Sequence, residues 1–186
     1  PFPAGAVDTY MTGWIKQQHT IRGPDDLKRL RIRQFGVPAE IFSRAGFRAV
    51  TMAGGDIIPA LERGVIDGAS LVDPHLDMQL GLHRLKSLAY YRQSGFPYTA
   101  IGLHLLVNKA RFEALPPDLQ RVIEEASRRT NTWLLAVVRS LSARALEKLT
   151  GEHGVQLRDL PDSVLQVLRQ ATADLVAEDS RKSPEF

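Results

Sequence analysis

The chain has 186 residues, 44% of them hydrophobic and 24% charged, with 14 Gly and 11 Pro, the composition of one globular domain or two small ones. It contains no Cys, which removes disulfides, thiolate metal sites and a cysteine nucleophile from consideration. Its 24 Lys and Arg against 21 Asp and Glu leave only +3, and the arginines are scattered, with Arg29, Arg31 and Arg33 the densest group, so there is no basic stripe of the kind nucleic acids require.

No apolar run approaches the ~18 residues of a membrane span, and the start Pro1-Phe2-Pro3-Ala4-Gly5 lacks a charged region followed by an apolar one. A start at Pro1 in place of Met predicts a processed or excised piece. From Ile21 to Val72, short apolar runs alternate with brief helical stretches, an α/β pattern. Gly23-Pro24-Asp25-Asp26 marks a turn and helix entry, and the turn over Leu27 to Leu30 leads into a strand, Leu30-Arg31-Ile32-Arg33. Gly36 breaks it. Pro38 suits a helix's first turn, Ile41 and Phe42 form its apolar face, and Gly46 sits where a left-handed C-terminal cap belongs. Ala49-Val50-Thr51-Met52 reads as the next strand. Gly54-Gly55 then turns the chain into a helix from about Asp56, its expected cap, to Arg63, and Gly64 closes it. Val65 to Val72 reads as a third strand broken at Gly68.

Three strands joined by two helices predict a parallel core, whose ligands gather beyond the carboxyl ends of the strands. Those ends are Arg33-Gln34-Phe35, Met52-Ala53-Gly54 and Ser70-Leu71-Val72-Asp73. Further on, Pro74 to Leu82 looks helical, Leu88 to Tyr91 extended, Ser94 to Thr99 a loop and Ile101 to Asn108 a strand. After Pro116-Pro117 the period changes: Leu119, Val122, Ile123, Ala126, Trp133, Leu134, Val137, Val138, Leu141 and Ala145 recur at helical steps. One long helix, or two in line, of ~33 residues would span ~50 Å and must bridge two bodies or protrude. Gly151 and Gly154 end it, Val155 to Leu157 is extended, and an amphipathic helix from about Pro161 to Val176 precedes a polar tail. The expected organisation is an α/β substrate-binding lobe over 1–115, the long and final helices over 116–180, and a tail over 181–186, with a mixed, mainly parallel sheet flanked by helices.

Most candidate chemistry has a plain structural explanation. Gly54-Gly55-Asp56 opening a helix could hold an anion on free N–H groups, but it lacks the GK[ST] ending of a phosphate loop, and a tight turn accounts for it. Asp73-Pro74-His75-Leu76-Asp77 sets three metal-ligand types at alternate positions, but Pro74 favours a helix start with Asp73 as its cap. His19, His83, His104 and His153 have no ligand spacing, no serine lies in GxSxG, and no acid/base constellation stands out, so an enzyme has no residue-level support. Arg33 is different. A guanidinium at a strand's carboxyl end, just before Gly36 and a helix N-terminus, can grip a carboxylate through two parallel hydrogen bonds or serve a structural ion pair. Arg31 has the same parity and reads as its solvent-facing or salt-bridged neighbour.

Several segments resemble a known family. Gly23-Pro24-Asp25-Asp26-Leu27-Lys28-Arg29-Leu30-Arg31-Ile32-Arg33, the run from Ala53-Gly54-Gly55-Asp56 to Ile66-Asp67-Gly68-Ala69, Leu106-Val107-Asn108-Lys109 and Leu115-Pro116-Pro117-Asp118-Leu119-Gln120 are similar to dicarboxylate-type (DctP) substrate-binding proteins of TRAP transporters, above all the branch binding 2-oxo acids. Phe2-Pro3-Ala4-Gly5 and Met11-Thr12-Gly13-Trp14 match the segment before Pro24 there. The resemblance implies a periplasmic, two-lobed protein that closes on a small organic acid and delivers it to membrane permease subunits. It also implies that this chain is the second lobe plus the C-terminal helices, with the first lobe missing, since two lobes of ~150 residues need ~300.

By the same resemblance, Arg33, with Phe35 beside it, pairs with the substrate carboxylate. Tyr10, Ser70 with Leu71, and Tyr98 stand where the oxo-acid branch has a Gln, a Glu-Trp pair and a Glu that hold a cation beside the substrate. The acidic metal ligands are therefore gone, which predicts no metal, no cofactor and a ligand whose neutral polar group meets hydroxyls. The competing expectation is a ligand-sensing or protein-interaction module that pairs with its own copy along the long helix.

Overall fold

The computed structural model describes residues 1–8, 12–92 and 100–182. Its centre is a six-stranded sheet in the order β4-β3-β5-β2-β6-β8, with β2 Thr12–Lys16, β3 Arg31–Arg33, β4 Arg48–Val50, β5 Gly68–Ser70, β6 Leu88–Arg92 and β8 Leu157–Asp159. β3 lies parallel between β4 and β5, with Ile32 opposite Ala49 on one side and Gly68 on the other. The expected parallel core is present. β2 then runs antiparallel to both β5 and β6, and β6 is parallel to β8, so β2 alone reverses direction in the sheet.

Both faces of this sheet are covered, and the alternation of side chains along each strand divides the core in two. Ile15, Ile32, Ala89 and Tyr91 point to the face packed by α1 (Pro24–Lys28), α2 (Gly36–Arg44) and α7 (Asp162–Lys182), where Ile41, Phe42, Val164, Leu165 and Leu168 are buried. Trp14, Ala69, Leu88 and Tyr90 point to the opposite face, against Ile57, Ala60 and Leu61 of α3 (Ile57–Glu62) and Leu149 of α6 (Pro117–Gly151). Gly68 is required at the β3–β5–β2 junction, because a Cβ there would stand 2.5 Å from the Trp14 carbonyl and 2.9 Å from Ile32 Cδ1.

A separate two-stranded ribbon pairs β1 (Phe2–Asp8) antiparallel with β7 (Ala100–Leu105). The 35-residue α6 is one continuous helix, roughly 50 Å long at 1.5 Å per residue, and it bridges the ribbon and the sheet. Near its start the Ser127 hydroxyl donates to the Pro3 carbonyl of β1. Near its end it packs on α4 (Pro74–Gln79), where the Ser142 hydroxyl donates to Asp73 Oδ1 at 2.9 Å.

Several local expectations need correction. Asp56 does not cap α3 with its side chain: a 3-10 turn over Gly54–Asp56 runs directly into the helix, so Asp56 already has helical dihedrals (φ −88°, ψ −10°). The third strand is three residues, not eight: Gly68–Ser70 pairs with β2, and only Gly68 and Ala69 also pair with β3. β1, β2 and the short helix α5 (Lys109–Glu113) were not anticipated. The final helix runs beyond Val176 to Lys182, held by Glu178, which pairs with Arg44 at 2.7 Å and Lys182 at 2.5 Å. Hydrogen bonds from Lys182 and then Arg44 hold the Glu178 carboxyl down to about 2. The left-handed caps at Gly46 (φ 78°) and Gly64 (φ 72°) are as expected.

Candidate ligand-binding site

Arg33 ends β3 and is only 8% exposed. Its Nη1 donates to the Ser70 carbonyl at 2.7 Å, while Nε and Nη2 donate to the Met52 carbonyl at 3.3 and 3.2 Å. The guanidinium carbon lies 4.7 Å from the centre of the Phe35 ring, within cation–π range. Two backbone carbonyls from the ends of neighbouring segments and one aromatic face therefore fix the group in place. The guanidinium carries five N–H bonds, and three are used among the described residues, leaving two for another acceptor. Among the described residues no carboxylate pairs with it, and burial lowers its pKa from the ordinary value.

Arg31, two residues earlier on β3, is held quite differently. Its Nε and Nη2 reach Asp67 Oδ2 and Oδ1 at 3.0 and 3.1 Å, and Nη2 also donates to the Gly64 carbonyl at 2.8 Å. The Arg31 backbone N–H donates to the same Asp67 Oδ2 at 2.9 Å. Burial tends to raise the Asp67 carboxyl, but the hydrogen bonds from Arg31 outweigh it and hold it below the usual range. Arg31 is thus the salt-bridged neighbour. It borders a hollow of about 440 Å³ at the other end of β3, with His19, Arg22, Asp26, Arg29 and Asp67, where Arg22 and Asp26 form a second internal pair.

The structure brings together four of the expected site residues: Arg33, Phe35, Ser70 and Leu71. Ser70 presents its carbonyl to Arg33, and its hydroxyl is buried without a hydrogen-bond partner. Leu71 follows it, buried, on the wall of a pit of about 160 Å³. Tyr10 and Tyr98 lie outside the described residues. Asp73 is the cap of α4: its Oδ1 accepts from the backbone N–H groups of His75 and Leu76 at 2.8 and 3.0 Å. Asp73, His75 and Asp77 do not converge. Asp77 turns into the core, where its Oδ2 accepts from Trp14 Nε1 at 2.8 Å and its Oδ1 from the Val72 N–H at 3.2 Å. Burial pushes its carboxyl up to about 7.

The sequence pattern did not disclose the two carbonyls that clamp Arg33, nor the Trp14–Asp77 and Ser142–Asp73 bonds. Backbone acceptors carry no sequence signal, and the two side-chain bonds join residues 63 and 69 positions apart.

The family model of the bacterial extracellular solute-binding proteins, family 7 (DctP), matches residues 7–182, so the chain belongs to that family of solute-binding receptors. The chain is 31% identical over 185 residues to a monocarboxylate 2-oxoacid-binding periplasmic protein of Nostoc sp., covering all of this chain and 50% of that protein. Among solved structures it is similar to a TRAP transporter solute-binding protein of Bordetella bronchiseptica RB50, described with copurified calcium and picolinate (31% identity, TM-score 0.88, all of this chain and 54% of that one). It is also similar to a TRAP periplasmic solute-binding protein of Colwellia psychrerythraea described with bound calcium and pyruvate (30% identity, TM-score 0.88, 98% and 55%). The chain thus spans about half the length of the relatives it matches.

The cation in those two relatives finds no grouped acidic donors among the described residues. Among the described residues no three His, Asp or Glu side chains are grouped to hold a metal ion. The segments 9–11 and 93–99 contain no Asp, Glu or His in their sequence. Asp73 and Asp77 are committed to α4 and Trp14, and among the described residues the buried guanidinium next to Ser70 has no acidic partner. A cation placed beside it would be repelled and poorly compensated, so the described residues do not fit one.

Proposed function

We propose that this chain is one lobe of a periplasmic solute-binding receptor of a TRAP-type transporter. It captures a small organic carboxylate against Arg33, a second lobe closes over the ligand, and the loaded receptor delivers it to membrane permease subunits. It acts by binding, not by catalysis. The observation that carries this reading is the guanidinium of Arg33, buried, clamped by two carbonyls and Phe35, and left with two unspent N–H bonds. A carboxylate accepts two parallel bonds from such a fork and supplies the missing negative charge. The family match and the organic acids named for the two solved relatives support the same ligand class.

A thermal-shift screen of the complete two-lobed protein tests the proposal, because a ligand that binds only the folded form raises the melting temperature. Small carboxylates are expected to raise it in a dose-dependent way, and their amides and alcohols of equal size are not. Equal shifts with the neutral analogues, or none with any acid, would contradict the reading.

A second reading concerns assembly. The outer face of α6 exposes Val122 (61%) and Trp133 (62%), apolar surface that a partner would cover. In this reading two copies pair along α6. Light scattering that shows a monomer at micromolar concentration, with Trp133 fluorescence independent of concentration, would remove it.

A further inference from the structure

Deepening the carboxylate reading, on which it rests, we propose that the captured acid carries a compact apolar arm of about six non-hydrogen atoms, seated in the pit beside Leu71. The pit holds about 160 Å³ and is walled by Ile57 and Ile58 of α3, by Leu71 and by Leu80 and Leu82, with no polar side chain among its described lining residues. Its floor is apolar, built on the buried side chains of Ile57, Leu71 and Leu82. Gly54 and Gly55 form an exposed rim, where an added Cβ would meet nothing within 4 Å.

Chain connectivity ties this pit to the Arg33 clamp twice. Ser70, whose carbonyl accepts from Arg33 Nη1, is followed directly by Leu71; Met52, whose carbonyl accepts from Nε and Nη2, lies two residues before Gly54. At 3.8 Å between successive Cα atoms, the pit wall begins within ~8 Å of the carbonyls that hold the guanidinium. On this proposal one small amphipathic acid reaches both.

Size selects the class of ligand. An apolar cavity of ~150 Å³ lined by Leu and Ile holds a benzene-sized guest, and water in it finds few partners. A methyl group, the whole apolar part of pyruvate, would leave most of the pit unfilled, whereas a phenyl or branched aliphatic arm removes its surface from water. The absence of charge in the lining disfavours a second carboxylate at this end, so the inferred ligand is a monocarboxylate.

The test is titration calorimetry on the complete two-lobed protein with acetate, phenylacetate, pyruvate and phenylpyruvate, which vary the arm and the oxo group separately. Each phenyl acid is expected to bind at least about 10-fold tighter than its short counterpart. Leu71→Trp, which fills the pit, and Gly55→Leu, which covers its rim, should both bring that ratio toward one. The second variant stands in if the first fails to fold. A ratio near or below one in the unaltered protein, or a ratio that survives in the folded variants, overturns the apolar-arm inference and leaves the carboxylate reading intact. If none of the four acids binds the folded protein, the carboxylate reading itself fails and the inference falls with it.

Discussion

Arg31 and Arg33 sit two residues apart on one three-residue strand, and the same side chain does two different jobs there. Arg31 meets a carboxylate, Asp67, through two parallel hydrogen bonds and is finished as a structural element. Arg33 is more deeply buried, yet among the described residues it meets only two carbonyls and a ring. Carbonyls orient a guanidinium without neutralising it. In the proposed function the contrast separates a charge that holds the fold together from a charge held in readiness for a ligand.

Asp77 sharpens the contrast, since it is a buried acid that has no cationic partner among the described residues. A carboxyl group in that position escapes by keeping its proton, whereas arginine cannot shed one. With a carboxyl of 3.8 in the unfolded chain and about 7 in the native one, the folded protein keeps a proton that the unfolded chain releases. Stability from this group is therefore full below about pH 4, declines as pH rises toward 7 and is flat above. The whole effect is on the order of 4 kcal/mol, of which somewhat over half, roughly 2.5 kcal/mol, falls between pH 5 and pH 8. Urea unfolding at those two pH values measures that part, and Asp77→Asn should flatten the difference. An unchanged pH dependence in that variant would show that Asp77 ionises normally.

The next largest effect is expected at Arg33 itself. Arg33→Lys keeps the charge but replaces a planar fork by a point, which cannot serve two carbonyls and a carboxylate together. Carboxylate affinity should fall about 30-fold, or ~2 kcal/mol, with little change in melting temperature. Equal affinity would mean that charge alone matters there. Asp67→Asn should do the reverse. Loss of a partly exposed pair costs about 1 kcal/mol of stability by denaturant titration and leaves ligand affinity unaltered. The smallest effect belongs to Phe35→Leu, which removes the ring under the guanidinium and should weaken binding by about 0.5 to 1 kcal/mol. A loss there as large as in Arg33→Lys would place Phe35 against the ligand instead.

Much of this was legible in the sequence wherever local chemistry decided the outcome. Gly46 and Gly64 announced their left-handed caps, Pro116-Pro117 the start of α6, and Leu30-Arg31-Ile32-Arg33 the strand β3. β1 and β2 escaped because their partners are distant: Phe2 pairs with Leu105, and Trp14 with Tyr90. The expected cap at Asp56 failed because a 3-10 turn had already made that residue helical. Arg31 and Arg33 were told apart only in part, since the sequence shows their shared parity but not which carboxylate or carbonyl folds against each. For Ser70 the expected hydroxyl is present, buried and unpartnered, beside a carbonyl whose role no pattern of residue types could reveal.

The decisive comparison is calorimetric titration of one carboxylate ligand into the complete protein and into its Arg33→Ala and Arg31→Ala variants, side by side. Arg33→Ala should lower affinity at least 100-fold while remaining folded, and Arg31→Ala should bind as the unaltered protein does. Full affinity in Arg33→Ala, or an equal loss in both variants, would contradict the assignment of Arg33 as the anion grip.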